Sequence, residues 1–231
     1  MVTQDEPSFL WLHIKKAAGQ SVRNALSDVY VQTNRSTPSP FIALPKREWN
    51  DNLNNYRVPL GEYDYRRMLF VKRFLFPDTF KDMFKFCIVR NPYTRAVSSF
   101  LYEIRKDRSE KLLTRAAPRK RFKQYLESLP RVWERTRPRH RALHAAPVIP
   151  DITDETGALL VDFVGRLESI ESDIDTICDA IGVARRELPR KHSTGGTTNY
   201  ESFYDRTTRR LVEKLYGDDI ERLGYRFPAT R

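Results

Sequence analysis

Cysteine, glycine and histidine are all scarce in this chain of 231 residues: two, nine and four, respectively. Cys87 and Cys178 both sit inside apolar patterns, so neither a disulfide scaffold nor a cysteine-rich zinc site is open to the chain. They read as small buried hydrophobes in a reducing compartment. The histidines, His13, His140, His144 and His192, are scattered, and no metal-ligand cluster stands out. None of the glycines falls in the G-x-x-x-x-G-K-[ST] spacing of a Walker A loop. No run of 18 apolar residues exists, which excludes a membrane-spanning helix. Residues 1–8 carry Asp5 and Glu6 and lack a basic start followed by an apolar stretch, so no secretory signal is expected there. No repeat of 20 to 50 residues is visible. What the chain has in excess is positive charge: 41 Lys and Arg against 30 Asp and Glu, a net charge of +11. That excess points to an anionic partner. With 40% apolar and 31% charged residues, the balance is that of a globular protein able to bury a core without staples.

The pattern along the chain alternates short apolar runs with helical periods. Residues 9–14 (Phe-Leu-Trp-Leu-His-Ile) read as a buried strand, the polar stretch 15–20 as a turn, and Ser21 onward as a helix. Residues 32–64 are rich in Pro, Asn and Ser and read as a long excursion, of the kind that is usually functional. Met68–Val71 is a second candidate strand. Pro77–Phe80 looks like a helix start, with Phe80, Met83 and Phe84 on one face. Phe86–Val89 is the clearest buried strand, and Pro92 suits the first turn of a helix running to about Arg105. Leu160–Val164 is another strand. Ile170, Ile174, Ile177 and Ile181 space out an amphipathic helix that Gly182 stops. Residues 189–200 read as a loop, and a last helix covers about 202–216. This alternation predicts a three-layer α/β domain with a central, mainly parallel sheet flanked by helices, a single domain over 1–231.

Two segments carry chemistry. His13 to Ser21 lies between strand and helix, where backbone N–H groups are exposed to an anion. Gly19 permits close approach of the backbone, Ser21 adds a hydroxyl, and Lys16 adds a point charge. In the second segment, Arg90 stands at the C-terminal end of a strand, where open α/β sheets put their ligands. Arg95 and Ser98 follow on the helix. An Arg at a strand end with a helical Ser can grip a phosphate.

Together these segments resemble the sulfotransferases that use 3′-phosphoadenosine 5′-phosphosulfate (PAPS), most closely the carbohydrate-type branch. Residues 13–21 (His-Ile-Lys-Lys-Ala-Ala-Gly-Gln-Ser) are similar to that branch's H-I-P-K-T-A-G-T-S. Residues 86–100 are similar to its F-x-F-V-R-[DN]-P-x-x-R-x-x-S-x-Y, with Ile88 and Phe100 at the second Phe and the Tyr. Asp162–Glu168 looks like D-F-[VI]-G-R-F-E, and Tyr204 to Tyr225 like the family's terminal helix and F-G-Y ending. The resemblance implies a P-loop-like fold and in-line transfer of a sulfuryl group from PAPS to an acceptor hydroxyl, without a metal and with 3′-phosphoadenosine 5′-phosphate (PAP) as product. It implies that Gly19, Gln20 and Ser21 bind the 5′-phosphate, with Lys15 and Ala18 as further cofactor-binding residues of the loop. Lys16 would face the bridging oxygen as a catalytic cation, and Arg90 and Ser98 would hold the 3′-phosphate. Arg166, Arg190, Lys191, His192 and Ser193 are further candidates for contact with the nucleotide. The sequence departs from the pattern at Lys15, where Pro is usual, and at Ala17 and Gln20, where Thr is usual. No His lies between Asn24 and Arg90 to act as general base, so Lys72, Glu48 or Glu62 would fill that position. His144 opens a segment resembling H-x-x-P-Q and is a candidate at the acceptor side. His13 reads as a core histidine rather than a base.

Residues 103–141 hold fourteen Lys and Arg against five acids. This belt reads either as the solvated face of a helical insertion or as a cleft for an anionic acceptor such as an acidic glycan. No nucleic-acid-binding motif accompanies it. The acceptor is expected to be a carbohydrate, with small molecules, lipids and proteins left open. A non-catalytic nucleotide or nucleic-acid binder of the same fold is the competing reading. A bacterial cytosol is the expected location.

Overall fold

A computed structural model describes residues 9–26, 60–133, 144–188 and 200–227. These divide between two compact units, each assembled from two stretches of chain: Met1–Val89 with Pro150–Lys191, and Arg90–Ile149 with His192–Arg231.

The first unit is built on a parallel three-stranded sheet of order β1-β2-β3, made of β1 (Phe9–Leu12), β2 (Phe84–Val89) and β3 (Phe163–Arg166). Phe9 faces Phe84 and Leu12 faces Cys87 across the first pair; Phe86 faces Phe163 and Val89 faces Arg166 across the second. Both sides of β1 are apolar, as a strand covered on both faces requires, and β2 departs from this only at Lys85, whose buried ammonium donates to the Phe80 and Met83 carbonyls. Phe9, Trp11, Phe86 and Ile88 project to one face and pack with Val22, Ala25 and Leu26 around α1 (Gly19–Ala25). Ile174, Ile177 and Cys178 of α7 (Ile170–Ala180) close the same core. Gly165 lets that helix sit down on β3: a Cβ there would come within 2.5 Å of Ile88 Cδ1 and 3.3 Å of Asp173 Cβ. Gly182, at φ +72, ends the helix run in the left-handed region. Both cysteines are buried and free, and burial pushes the Cys87 thiol up to about 12, which marks a packing residue and not a nucleophile.

The second unit is helical. Its α3 (Pro92–Glu103), α4 (Arg108–Ala116), α5 (Pro118–Trp133), α8 (Arg206–Leu215) and α9 (Gly217–Arg222) follow in chain order. The core is aromatic: Tyr93, Phe100, Phe122, Tyr125, Phe203, Tyr204 and Tyr216 meet Leu126, Leu129 and Val212. Edge-to-face pairs recur in it, for example Phe122 with Tyr204 at 5.4 Å. Asp219 is buried and accepts from the N–H groups of Val148 and Ile149 at 2.9 Å, with the Arg95 guanidinium 3.8 Å away.

Four elements differ from the sequence reading. Met68–Val71 is not a strand. It forms most of α2 (Arg67–Phe70), which runs on into a π-turn over Val71–Leu75. An apolar run of four has no period to distinguish strand from helix, and here the first N–H of the helix is taken by the buried Asp151 carboxylate at 2.8 Å. Lys72, the general-base candidate that follows this run, is therefore an exposed residue of a π-turn. The helix expected from Pro77 is a turn followed by one 3-10 turn, Phe80–Asp82, because Phe84 is drawn into β2. The strand placed at Leu160–Val164 is shifted to Phe163–Arg166: the Asp162 carboxylate accepts from the Lys85 N–H at 2.7 Å, and the ladder begins after it. The final helix of 202–216 is a 3-10 turn, Tyr200–Phe203, then α8, because Asp205 caps a new start. Most of the excursion at 32–64 and the loop at 189–200 lie outside the described residues.

Candidate functional site

The segment after β1 turns sharply. Lys16 has φ +65 and Ala18 φ +58, so two non-glycine residues occupy the left-handed region at a cost of about 1–2 kcal/mol each. Strain of this kind is kept where a backbone must present itself to something, and left-handed residues turn successive N–H groups to one side as an anion would require. Ala18 is the N-cap of α1 and its carbonyl accepts from the Ser21 and Val22 N–H groups at 2.8 and 3.1 Å. Lys15 is buried, Lys16, Ala18 and Ser21 are half-buried, and Gln20 is exposed, with its amide donating to Asn24 Oδ1 at 2.8 Å. Gly19 is buried, and its need to be glycine has a local cause. A Cβ would fall 1.8 Å from Nε2 of His13. The His13 ring also lies 5.3 Å from that of Trp11.

Below this loop is a pair that the sequence did not flag. Arg67 and Asp151, the latter on α6 (Ile149–Ile152), are 0% and 1% exposed. Arg67 donates from Nε and Nη2 to Asp151 Oδ2 at 2.8 and 2.5 Å. Nη1 and Nη2 also reach the His13 carbonyl at 3.4 and 3.5 Å. Asp151 lies 84 residues from Arg67, so no local signal links them.

In the second unit the Arg-Asn-Pro run becomes a helix start with assigned parts. The Asn91 side chain accepts from the Tyr93 N–H at 3.1 Å and donates to the Arg226 carbonyl at 2.9 Å, and Pro92 takes the first helical position. Arg90 is half-buried, and its Nε donates to Thr94 Oγ1 at 2.9 Å. Thr94 and Ser98 are one turn apart, so the Arg90 guanidinium is anchored on the helix stripe that carries Ser98. The neighbouring serine is already committed: Ser99 is buried and donates to the His144 carbonyl at 2.7 Å. Arg95 is buried too and donates to the Ala146 carbonyl at 2.6 Å, which makes it a packing residue. Thr94 was missed in the sequence, although its spacing from Arg90 was visible there.

His144 is buried, with its ring stacked on Tyr102 at 4.3 Å. The Arg105 guanidinium lies 3.4 Å from the same Tyr102 ring. Arg166 ends β3, and its N–H donates to Asp173 Oδ2 at 2.5 Å. Glu62 is exposed in the 3-10 turn Gly61–Tyr63. Glu48, His140, Arg190, Lys191, His192 and Ser193 lie outside the described residues. Among the described residues there is no group of three or more His, Cys, Asp or Glu arranged to hold a metal ion, and no helix long and apolar enough to cross a membrane.

The chain thus carries a strained lysine-bearing loop after the first strand of its parallel sheet and an Arg-Asn-Pro helix start after the second. The family model of the sulfotransferases matches residues 1–226, and the chain belongs to the sulfotransferase family. Its chemistry is sulfuryl transfer. A curated relative from Archaeoglobus fulgidus, an uncharacterized protein, is 29% identical over 117 residues, an alignment covering 50% of this chain and 80% of the relative. No solved structure matches the chain significantly.

Proposed function

We propose that the enzyme transfers the sulfuryl group of PAPS to a hydroxyl of a carbohydrate acceptor by in-line displacement. The observation that carries this reading is the pair of left-handed residues, Lys16 and Ala18, in the loop between β1 and α1. The donor set there suits a phosphosulfate: backbone N–H groups, the Ser21 hydroxyl and two lysines, with no carboxylate among residues 13–24 to oppose an anion. In this reading the loop from Lys15 to Ser21 holds the 5′-phosphate. Lys16 neutralises charge as it develops on the oxygen that bridges phosphate and sulfuryl group, so it stabilises the transition state more than the ground state. Arg90, steadied by Thr94, and Ser98 take the 3′-phosphate. One sulfotransferase domain then spans both units, as the family match does. Exposed Arg108, Lys111, Arg115, Arg119, Lys120 and Lys123 on α4 and α5 suit an acidic glycan as acceptor. Two free, buried cysteines suit a cytosolic location.

Calorimetric titration with PAP, against ATP and 5′-AMP, tests the reading. Tight binding of PAP is expected, weakened about tenfold or more in Arg90→Ala and in Ser98→Ala through loss of charged-group hydrogen bonds. Lys16→Ala should keep binding and lose transfer. Equal binding of PAP and ATP would overturn the proposal.

A further inference from the structure

We infer that His13 is a positioning residue for the phosphate loop, a brace that holds the loop's two ends together. The inference rests on the reading of residues 15–21 as the 5′-phosphate site. Three observations converge on His13. Its ring fills the space where a side chain at residue 19 would be, with Nε2, Cδ2 and Cε1 at 1.8, 2.4 and 2.6 Å from an ideal Cβ. Its ring also lies against that of Trp11, a buried residue of β1. Its carbonyl is approached by both terminal nitrogens of Arg67, itself fixed by Asp151.

The consequence is geometric. His13 stands at the loop's entry and Gly19 at its exit, and the ring-to-backbone contact closes the segment 14–18 between them. A loop closed so tightly must turn within a few residues, and Lys16 and Ala18 do so in the left-handed region. Ile14, Lys15 and Ala17 are buried in the process. The glycine is thus explained by the imidazole beside it, a different cause from close approach of a phosphate to the backbone. The two causes make opposite predictions for a double variant.

Gly19→Ala, His13→Ala and the double variant should be compared by PAP titration and by hydrogen exchange of the amides over 15–21. His13→Ala is expected to speed exchange across 15–21, leave β2 protected, and weaken PAP about tenfold, since a loosened loop must be ordered on binding. Gly19→Ala is expected to weaken PAP at least as much. The double variant should bind like His13→Ala alone, because the added methyl then meets no ring, and this non-additivity is the signature of a direct contact. If the losses instead add, Gly19 serves the ligand and the brace is wrong. Unchanged loop exchange in His13→Ala would also overturn it. Should Gly19→Ala fail to fold, the double variant must fold for the brace to stand. A wild-type protein that does not bind PAP would overturn the functional reading alone, since the exchange pattern of the free protein still decides the brace.

Discussion

An ion pair sealed from water stands or falls as a unit. Arg67 and Asp151 satisfy each other through two side-chain hydrogen bonds, and Asp151 also takes the Arg67 N–H. Removing the carboxylate leaves a guanidinium buried without its counter-charge. Asp151→Ala should therefore lower unfolding free energy by about 3–5 kcal/mol, read by urea denaturation. The loss should change little with added salt, because a buried pair is poorly screened. At this scale the sequence was unevenly legible. Lys16, Gly19, Arg90 and Ser98 were picked out because motif spacing is local. The partners that set them were not. Arg67 carries no local mark, because its partner Asp151 lies 84 residues further on. Thr94 was hidden in plain view, one helical turn after Arg90. Gly19 was read as room for a phosphate, and its neighbour turned out to be a ring from six residues upstream.

At the scale of elements, α8 shows how a short stretch declares its own start. The Asp205 carboxylate accepts from the Thr208 N–H at 2.8 Å while Thr208 Oγ1 accepts from the Asp205 N–H at 2.8 Å, a reciprocal cap. That backbone hydrogen bond holds the Asp205 carboxyl below its ordinary value. A carboxyl depressed in the folded state adds stability above its unfolded value, near 3.9, and the contribution is lost as pH falls through the folded value. Asp205→Ala should cost about 1 kcal/mol at pH 7. The difference between variant and wild type should shrink below about pH 4, where the wild-type carboxyl also becomes protonated, as followed by thermal melts across pH. Elements with a full pattern were readable: β2 from its unbroken apolar run, and α7 from four isoleucines at helical spacing. The errors fell where the pattern was short. Met68–Val71 offered too few residues to show a period. The boundary of β3 depended on Asp162 binding Lys85, which lies 77 residues away.

The whole molecule is interleaved. Each unit takes its parts from both sides of the other in sequence. A chain ending at residue 149 keeps β1 and β2 but lacks β3 and the isoleucines of α7. It also keeps α3 and α5 but lacks Phe203, Tyr204, Val212 and Tyr216. Such a truncation should show no cooperative urea transition by circular dichroism, since both cores are left open. The α/β class was legible at this scale, because alternation of element types survives errors in individual elements. The division into two units was not, because nothing in local composition records which stretches return to the same core.

That interleaving also sets a timetable for birth on the ribosome. At roughly 5–20 residues per second, β1 and β2 are made before β3 and wait for it, so the middle strand keeps one edge unpaired while some seventy further residues are threaded out. The aromatic core of the second unit waits longer still, until Tyr216 has emerged. Until those parts emerge each unit is unfinished, and the nascent chain is a natural client for helpers that shield exposed strands and rings.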